Sequence, residues 1–162
     1  MMRLTATIGA MLLASAGPAL AERTELMFCA LQDSGKMVTV TLDGPDVTYE
    51  FGNLNAVPDL FLTTPAADID YQPWPGVGNT IWETITFYNG DYGYSVVMGV
   101  ERVNNPAKYG GITVTKDGIE IANLDCLPSS VAFEVVNPLY DIKTAAGWCV
   151  DRSAKGGWTR CD

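Results

Sequence analysis

The sequence predicts an all-β protein, a small antiparallel β-barrel or sandwich of about eight strands. Three observations carry that expectation. Apolar and polar residues alternate with a period of two in several separate stretches, and turn residues punctuate the gaps between them. Only Pro138 to Gly147 shows even a mild helical pattern. Short strands at such close spacing are the pattern of sandwiches and small barrels.

The strands are justified in order. Glu25 to Leu31 reads as the first. Val38, Val40 and Leu42 then alternate with Thr39 and Thr41, and after Asp43-Gly44-Pro45-Asp46 the pattern resumes with Val47, Tyr49 and Phe51. Pairing Leu42 with Val47 sets Val40 against Tyr49 and Val38 against Phe51, so one face is wholly apolar, as a half-buried hairpin requires. Leu60 to Thr63 is a short fourth strand.

The stretch "YQPWPGVGNTIWETITFYNGDYGY", residues 71 to 94, crowds aromatic rings among prolines and glycines. Asn89-Gly90 between alternating runs is a strong hairpin signal, because both residues accept positive φ. A two-residue loop there sets Phe87 against Tyr92, Ile85 against Tyr94 and Glu83 against Val96. A four-residue loop shifts the partners without changing any face. Ile85, Phe87, Tyr92, Tyr94, Val96 and Met98 therefore read as core. Trp82, Thr84, Thr86 and Tyr88 take the opposite face, beside Gly93 and Ser95. A third hairpin runs from Ile112 and Val114 through Lys116-Asp117-Gly118 to Ile119 and Ile121.

Residues 1–21 read as an export signal. Arg3 precedes an apolar run from Leu4 to Leu13, and small residues end in Ala19-Leu20-Ala21. A membrane anchor needs roughly twenty apolar residues, and Ser15, Gly17 and Pro18 interrupt too early. Removing 21 of the 162 residues leaves 141, enough for one domain with a core of its own. The expected organisation is a β domain over 22–137 and a C-terminal disulfide-looped segment, 138–162, packed on the same domain. No other stretch is long enough to span a bilayer, so no membrane insertion is expected, and the expected location is periplasmic or secreted.

All four cysteines, Cys29, Cys126, Cys149 and Cys161, fall in the exported part. An even number in an oxidising compartment implies two disulfides with three possible connectivities. The favoured one joins Cys149 to Cys161 across a short loop and Cys29 to Cys126, first strand to late strand. The C-terminal segment is expected to be a separate appendage, whose staple matters little to the rest.

Composition excludes whole classes of chemistry. There is no histidine, so Ser-His-Asp and Cys-His catalysis and His-ligated zinc or haem are ruled out. Gly76-Val77-Gly78 lacks the Gly-Lys and βαβ setting of a phosphate loop, and reads with Pro73 and Pro75 as a surface loop. Ser153-Ala154-Lys155 sits inside a short disulfide loop, a poor place to desolvate a lysine base. Asp68-Ile69-Asp70 offers too few oxygens for calcium. A pair of carboxylates for glycoside hydrolysis is a matter of spatial separation, which sequence does not show. No cofactor or metal is expected, and the chain reads as a non-enzymatic binding protein.

Without the signal the chain has 9 basic and 19 acidic residues, a net charge of −10. Such a chain is repelled by nucleic acid and attracts a cationic protein. One stretch runs against the trend: Lys143, Arg152, Lys155 and Arg160 face a single Asp151, with Trp148 and Trp158 among them. The rings not claimed by the core face are Tyr71, Trp74, Trp82 and Tyr88, the candidate binding residues. Tyr and Trp dominate binding hot spots, and their flat rings also stack on sugars.

The layout of Phe28-Cys29, then "KMVTVTL" and "VTYEFG", with the later Cys126, resembles the small disulfide-bonded β-barrels that inhibit C-type lysozymes in bacterial periplasms. The resemblance spans residues 28 to about 63. It implies an inhibitor of a cationic lysozyme-like hydrolase. That family's inhibitory loop carries Ser-Gly-x-x-Tyr; the nearest segment here is "NGDYGY", which does not match, so no site residue is carried over. The block "WPGVGNTIWETITFYNGDYGY" is also similar to one in uncharacterised exported bacterial proteins. The alternative function is recognition of glycan or peptidoglycan fragments by the exposed rings.

Overall fold

The computed structural model describes residues 23–133 and 138–162; the expected signal, 1–21, lies outside them. The chain forms two five-stranded antiparallel sheets and a small C-terminal hairpin. The first sheet holds β1 (Arg23–Ala30), β2 (Met37–Asp43), β3 (Asp46–Gly52), β4 (Leu60–Pro65) and β10 (Ala132–Phe133), in the order β10-β1-β2-β3-β4. The second runs in chain order through β5 (Asp70–Gln72), β6 (Thr80–Asn89), β7 (Tyr92–Glu101), β8 (Lys108–Lys116) and β9 (Ile119–Asp125). A helix, α1 (Leu139–Ala145), leads into the hairpin of β11 (Trp148–Val150) and β12 (Trp158–Arg160).

The eight strands expected from alternation are all present. Four more, β5, β10, β11 and β12, are two or three residues long, too short for a period of two to show. The β2–β3 register matches the apolar pairing, with Val40 opposite Tyr49 and Val38 opposite Phe51. In β6–β7 the faces are as expected but the turn is one residue further on. Asn89 pairs with Tyr92, and Gly90-Asp91 makes the bend, so Phe87 faces Tyr94. Gly90 alone takes positive φ there, at 59°. That is the pattern of a type II′ turn, with glycine first, rather than the Asn-Gly type I′ turn.

One core fills the space between the sheets. Val38, Val40, Tyr49, Ile85, Phe87, Val96, Met98 and Ile112 are fully or almost fully buried in it. Each such side chain removed from water contributes on the order of 1.5–3 kcal/mol. Tyr92 and Tyr94, at the mouth of the hairpin, are only half-buried. The sheets are stitched along one seam. Leu31 bridges Cys126, Leu127 N donates to Ala30 O (2.8 Å), Cys126 N donates to Gly110 O (2.9 Å), and the Cys29–Cys126 disulfide lies in the same place.

The second disulfide joins Cys149 to Cys161. The C-terminal segment is no appendage, however. Leu139 and Trp158 belong to the main core, and Lys143 is buried with them. Its ammonium donates to Ile69 O (2.9 Å) and Ala67 O (3.3 Å) and lies over the rings of Trp148 and Trp158. Burial pulls its pKa below the ordinary lysine value, and Asp70 and Asp68 nearby partly restore it. Of the stretch read as a positive patch, Lys143 is thus turned inward, while Arg152 and Arg160 stay exposed; Arg160 stacks on Trp148, 4.0 Å from the ring centroid, and donates to Ala146 O.

Candidate binding face on the second sheet

The outer face of the second sheet is rich in hydroxyls. Cross-strand pairing sets Thr84 against Val97 and Thr86 against Ser95, and continues Ser95 to Thr113. Thr86 Oγ1 and Ser95 Oγ lie 2.9 Å apart. Threonine suits a strand because its β-branch packs on the pleat, while its hydroxyl stays at the surface. Asp70 and Gln72 join from β5, opposite Thr86 and Thr84. Together with Gly156 these residues line an open groove of ≈ 470 Å³.

Aromatic rings bound this face. At one end Trp82 pairs with Gly99, and Gly99 with Tyr109, whose ring lies over the glycine where any Cβ would collide with it. At the other end Tyr88 leans over Gly93, 3.4 Å from where a Cβ would stand. Glycine inside a strand marks such close approaches. The Tyr88 hydroxyl donates to Asp70 Oδ2 (2.6 Å), and this bond, with some burial and the carboxylate's charge, pushes its pKa up to about 12.

Trp74 stands off the sheet, on the 73–79 loop. Its indole N–H donates to Val77 O (3.0 Å), and the Arg102 guanidinium lies 5.2 Å from its ring centroid while donating to Gly78 O (3.3 Å). Gly76 and Gly78, with φ of 82° and 92°, let the loop turn back to make those contacts. A second cleft, of ≈ 180 Å³, lies between this loop and the C-terminal hairpin, lined by Trp74, Tyr140, Val150 and Arg152 among others.

Tyr71 departs from expectation. Its pairing with Ile85 turns it to the inner face, where it is 1% exposed and cannot meet a ligand. Its hydroxyl donates to Glu83 Oε1 (2.7 Å), and Trp158 Nε1 donates to its carbonyl (2.6 Å). Burial, then the Glu83 carboxylate, raises its pKa far above the ordinary tyrosine value. Of the four rings read as exposed, Trp82 and Tyr88 share a face, Trp74 lies round the corner, and Tyr71 belongs to the core.

Tyr109 and Tyr140 were not singled out by sequence, and Arg152 only as one cation of the basic stretch. Gly99 in mid-strand was a usable signal for Tyr109; nothing in the sequence ties Tyr140 and Arg152 to Trp74. Ser153 is engaged with Asp151: its N–H and Oγ both donate to Asp151 Oδ1, which holds that carboxyl below the usual range. Among the described residues, no group of three or more Cys, Asp or Glu is placed to hold a metal ion. The sheet groove has one carboxylate in its lining, Asp70. No family model, no curated protein and no solved structure matches the chain.

Proposed function

We propose that the protein is a non-enzymatic glycan-binding module, periplasmic or secreted, that takes a sugar chain along the outer face of its second sheet. One observation carries the reading: the ≈ 470 Å³ groove of hydroxyl, amide and carboxylate groups lies on the same face as Trp82, Tyr109 and Tyr88. A pyranose has polar edges and apolar faces. Thr84, Thr86, Ser95, Gln72 and Asp70 match the edges, and flat rings match the faces. A glycosidase needs two carboxyl groups flanking the bond, and a single Asp70 in the groove favours binding over cleavage. The two disulfides fit an oxidising compartment, and no helix among the described residues is long and apolar enough to cross a membrane.

Titration with chitin and peptidoglycan oligosaccharides should quench tryptophan fluorescence, and Trp82→Ala should abolish most of the response. Wild-type spectra unchanged by every oligosaccharide would exclude the reading.

A second reading, inhibition of a cationic lysozyme-like hydrolase, is favoured by the net charge of −10 on the chain after Ala21. Complementary charge acts mainly on the association rate and makes it salt-sensitive. Assays against a panel of lysozymes at low and moderate salt should show inhibition that fades with salt. Full lysozyme activity at both would exclude it.

A further inference from the structure

The two clefts beside β5 are neighbours. Gln72 lines both, Gly156 lines the sheet groove, and Gly157 lines the Trp74 cleft. The Gly156-Gly157 turn lies beside β5 and the residue after it: a Cβ at Gly156 would make ordinary contact with Asp70 Oδ1 at 3.5 Å, and one at Gly157 with Pro73 at 3.7 Å. Both glycines have φ near +80°. A ligand lying along the sheet groove therefore meets, just past Gln72, a cleft of different chemistry.

That chemistry is set by Arg152. Every other cation whose side chain is described already has a carboxylate, a carbonyl or a ring as partner. Arg23 pairs with Glu50 and Lys36 with Asp59; Arg102, Lys143 and Arg160 donate to carbonyls; Lys108 and Lys116 lie over Phe133 and Tyr92. Arg152 is exposed and has no such partner among the described residues. It lies against Gly76, its guanidinium 3.3 Å from where a Cβ would be, so the loop's lack of a side chain gives it room. Trp74 and Tyr140 line the same cleft.

A guanidinium free to offer its planar fork, in a cleft that two rings also line, suits a carboxylate held in a bidentate grip. The chain carries a net charge of −9, so an anion is repelled at long range, and a local cation of this kind offsets that repulsion for an acidic ligand. We propose, on the footing of the glycan reading, that the bound sugar carries a carboxylate, and that Arg152 takes it in the cleft beside Trp74 and Tyr140 while the sugar chain continues over Gln72 onto the sheet.

The test compares three probes by titration calorimetry: an N-acetylglucosamine–N-acetylmuramic acid disaccharide, the methyl ester of its lactyl carboxylate, and free lactate. The acid should bind about tenfold more tightly than the ester, as a charge-assisted hydrogen bond allows. Salt should shrink that ratio, Arg152→Gln should bring it close to one, and Arg152→Lys should restore part of it. Lactate should bind far more weakly than the disaccharide. Equal binding of acid and ester, or a preference that survives Arg152→Gln, overturns this inference while leaving glycan binding intact. Lactate binding as tightly as the disaccharide removes the sugar's part. No binding of either disaccharide overturns both.

Discussion

The outer faces of the two sheets follow the same alternation, and both carry threonines, Thr41–Thr48–Thr63 across the first and Thr86–Ser95–Thr113 across the second, but they are bordered differently. Across the first also runs Phe28–Thr39–Glu50–Phe61, and the loop over residues 53–58 folds back to border a cleft of ≈ 280 Å³ with Phe28, Met37 and Glu50. Gly52 makes that return possible, for a Cβ there would stand 3.0 Å from Asp59 N and 3.1 Å from Pro58 Cα. Across the second, glycines lie beneath the rings of Tyr88 and Tyr109, and the turn at Gly156 lines the groove. Alternation decides which residues point outward. What borders them is decided by loops and glycines: the 53–58 loop on the first face, the rings and the Gly156 turn on the second.

The comparison can be broken most severely at what joins the two sheets. Cys29→Ser with Cys126→Ser removes the covalent tie at the seam and should lower stability by about 2–5 kcal/mol, measured by urea unfolding. Loss below about 1 kcal/mol would mean that the backbone bonds of the seam suffice.

A matched pair of glycine substitutions sharpens the contrast. Gly52→Ala meets backbone that cannot give way and should cost about 1–3 kcal/mol. Gly99→Ala meets only the Tyr109 ring, which can swing outward, so its cost should stay under about 1 kcal/mol, of the size of a rotamer shift. It should nevertheless weaken oligosaccharide binding, by moving a ring off the face. Equal melting for the two variants would show that the first sheet's loop is not held by Gly52.

The smallest effect concerns Tyr88 and Asp70. The folded protein holds this phenolic proton more tightly than the unfolded chain, so the bond's contribution is complete below the ordinary tyrosine value of 10.0. It is lost as pH rises through about 12. Thermal melts of wild type and Tyr88→Phe should differ slightly at neutral pH and converge across that window. A difference that persists above it would trace to ring packing on Gly93 instead.

How far the sequence could be read depended on length scale. Val38, Val40, Tyr49 and Phe51 announced their register because seven-residue strands repeat the period often enough to see. Tyr71 was misread because β5 is three residues long and runs straight into Pro73, so nothing local distinguishes it from the surface loop that follows. The groove itself was beyond local reading, since Gln72 and Gly156 meet only through β12 and the docking of Trp158 on the Tyr71 carbonyl. The Cys149–Cys161 staple was legible from spacing, whereas Lys143 as a buried anchor was not. A lysine gives no sign in sequence that two carbonyls and two indoles wait for it.

The seam disulfide also dictates an order of events. Its cysteines are 97 residues apart, while Cys149 and Cys161 are only 12 apart. In an unstructured chain the longer closure is disfavoured by about 2 kcal/mol relative to the shorter. Cys29 is as far or further from Cys149 and Cys161, so chain statistics barely distinguish its three potential mates. Rapid closure of the short loop withdraws two of them from the contest. As the chain emerges N-terminus first, Cys126 also reaches Cys29 before Cys149 and Cys161 have appeared, so the order of emergence and the short closure both favour the seam pair.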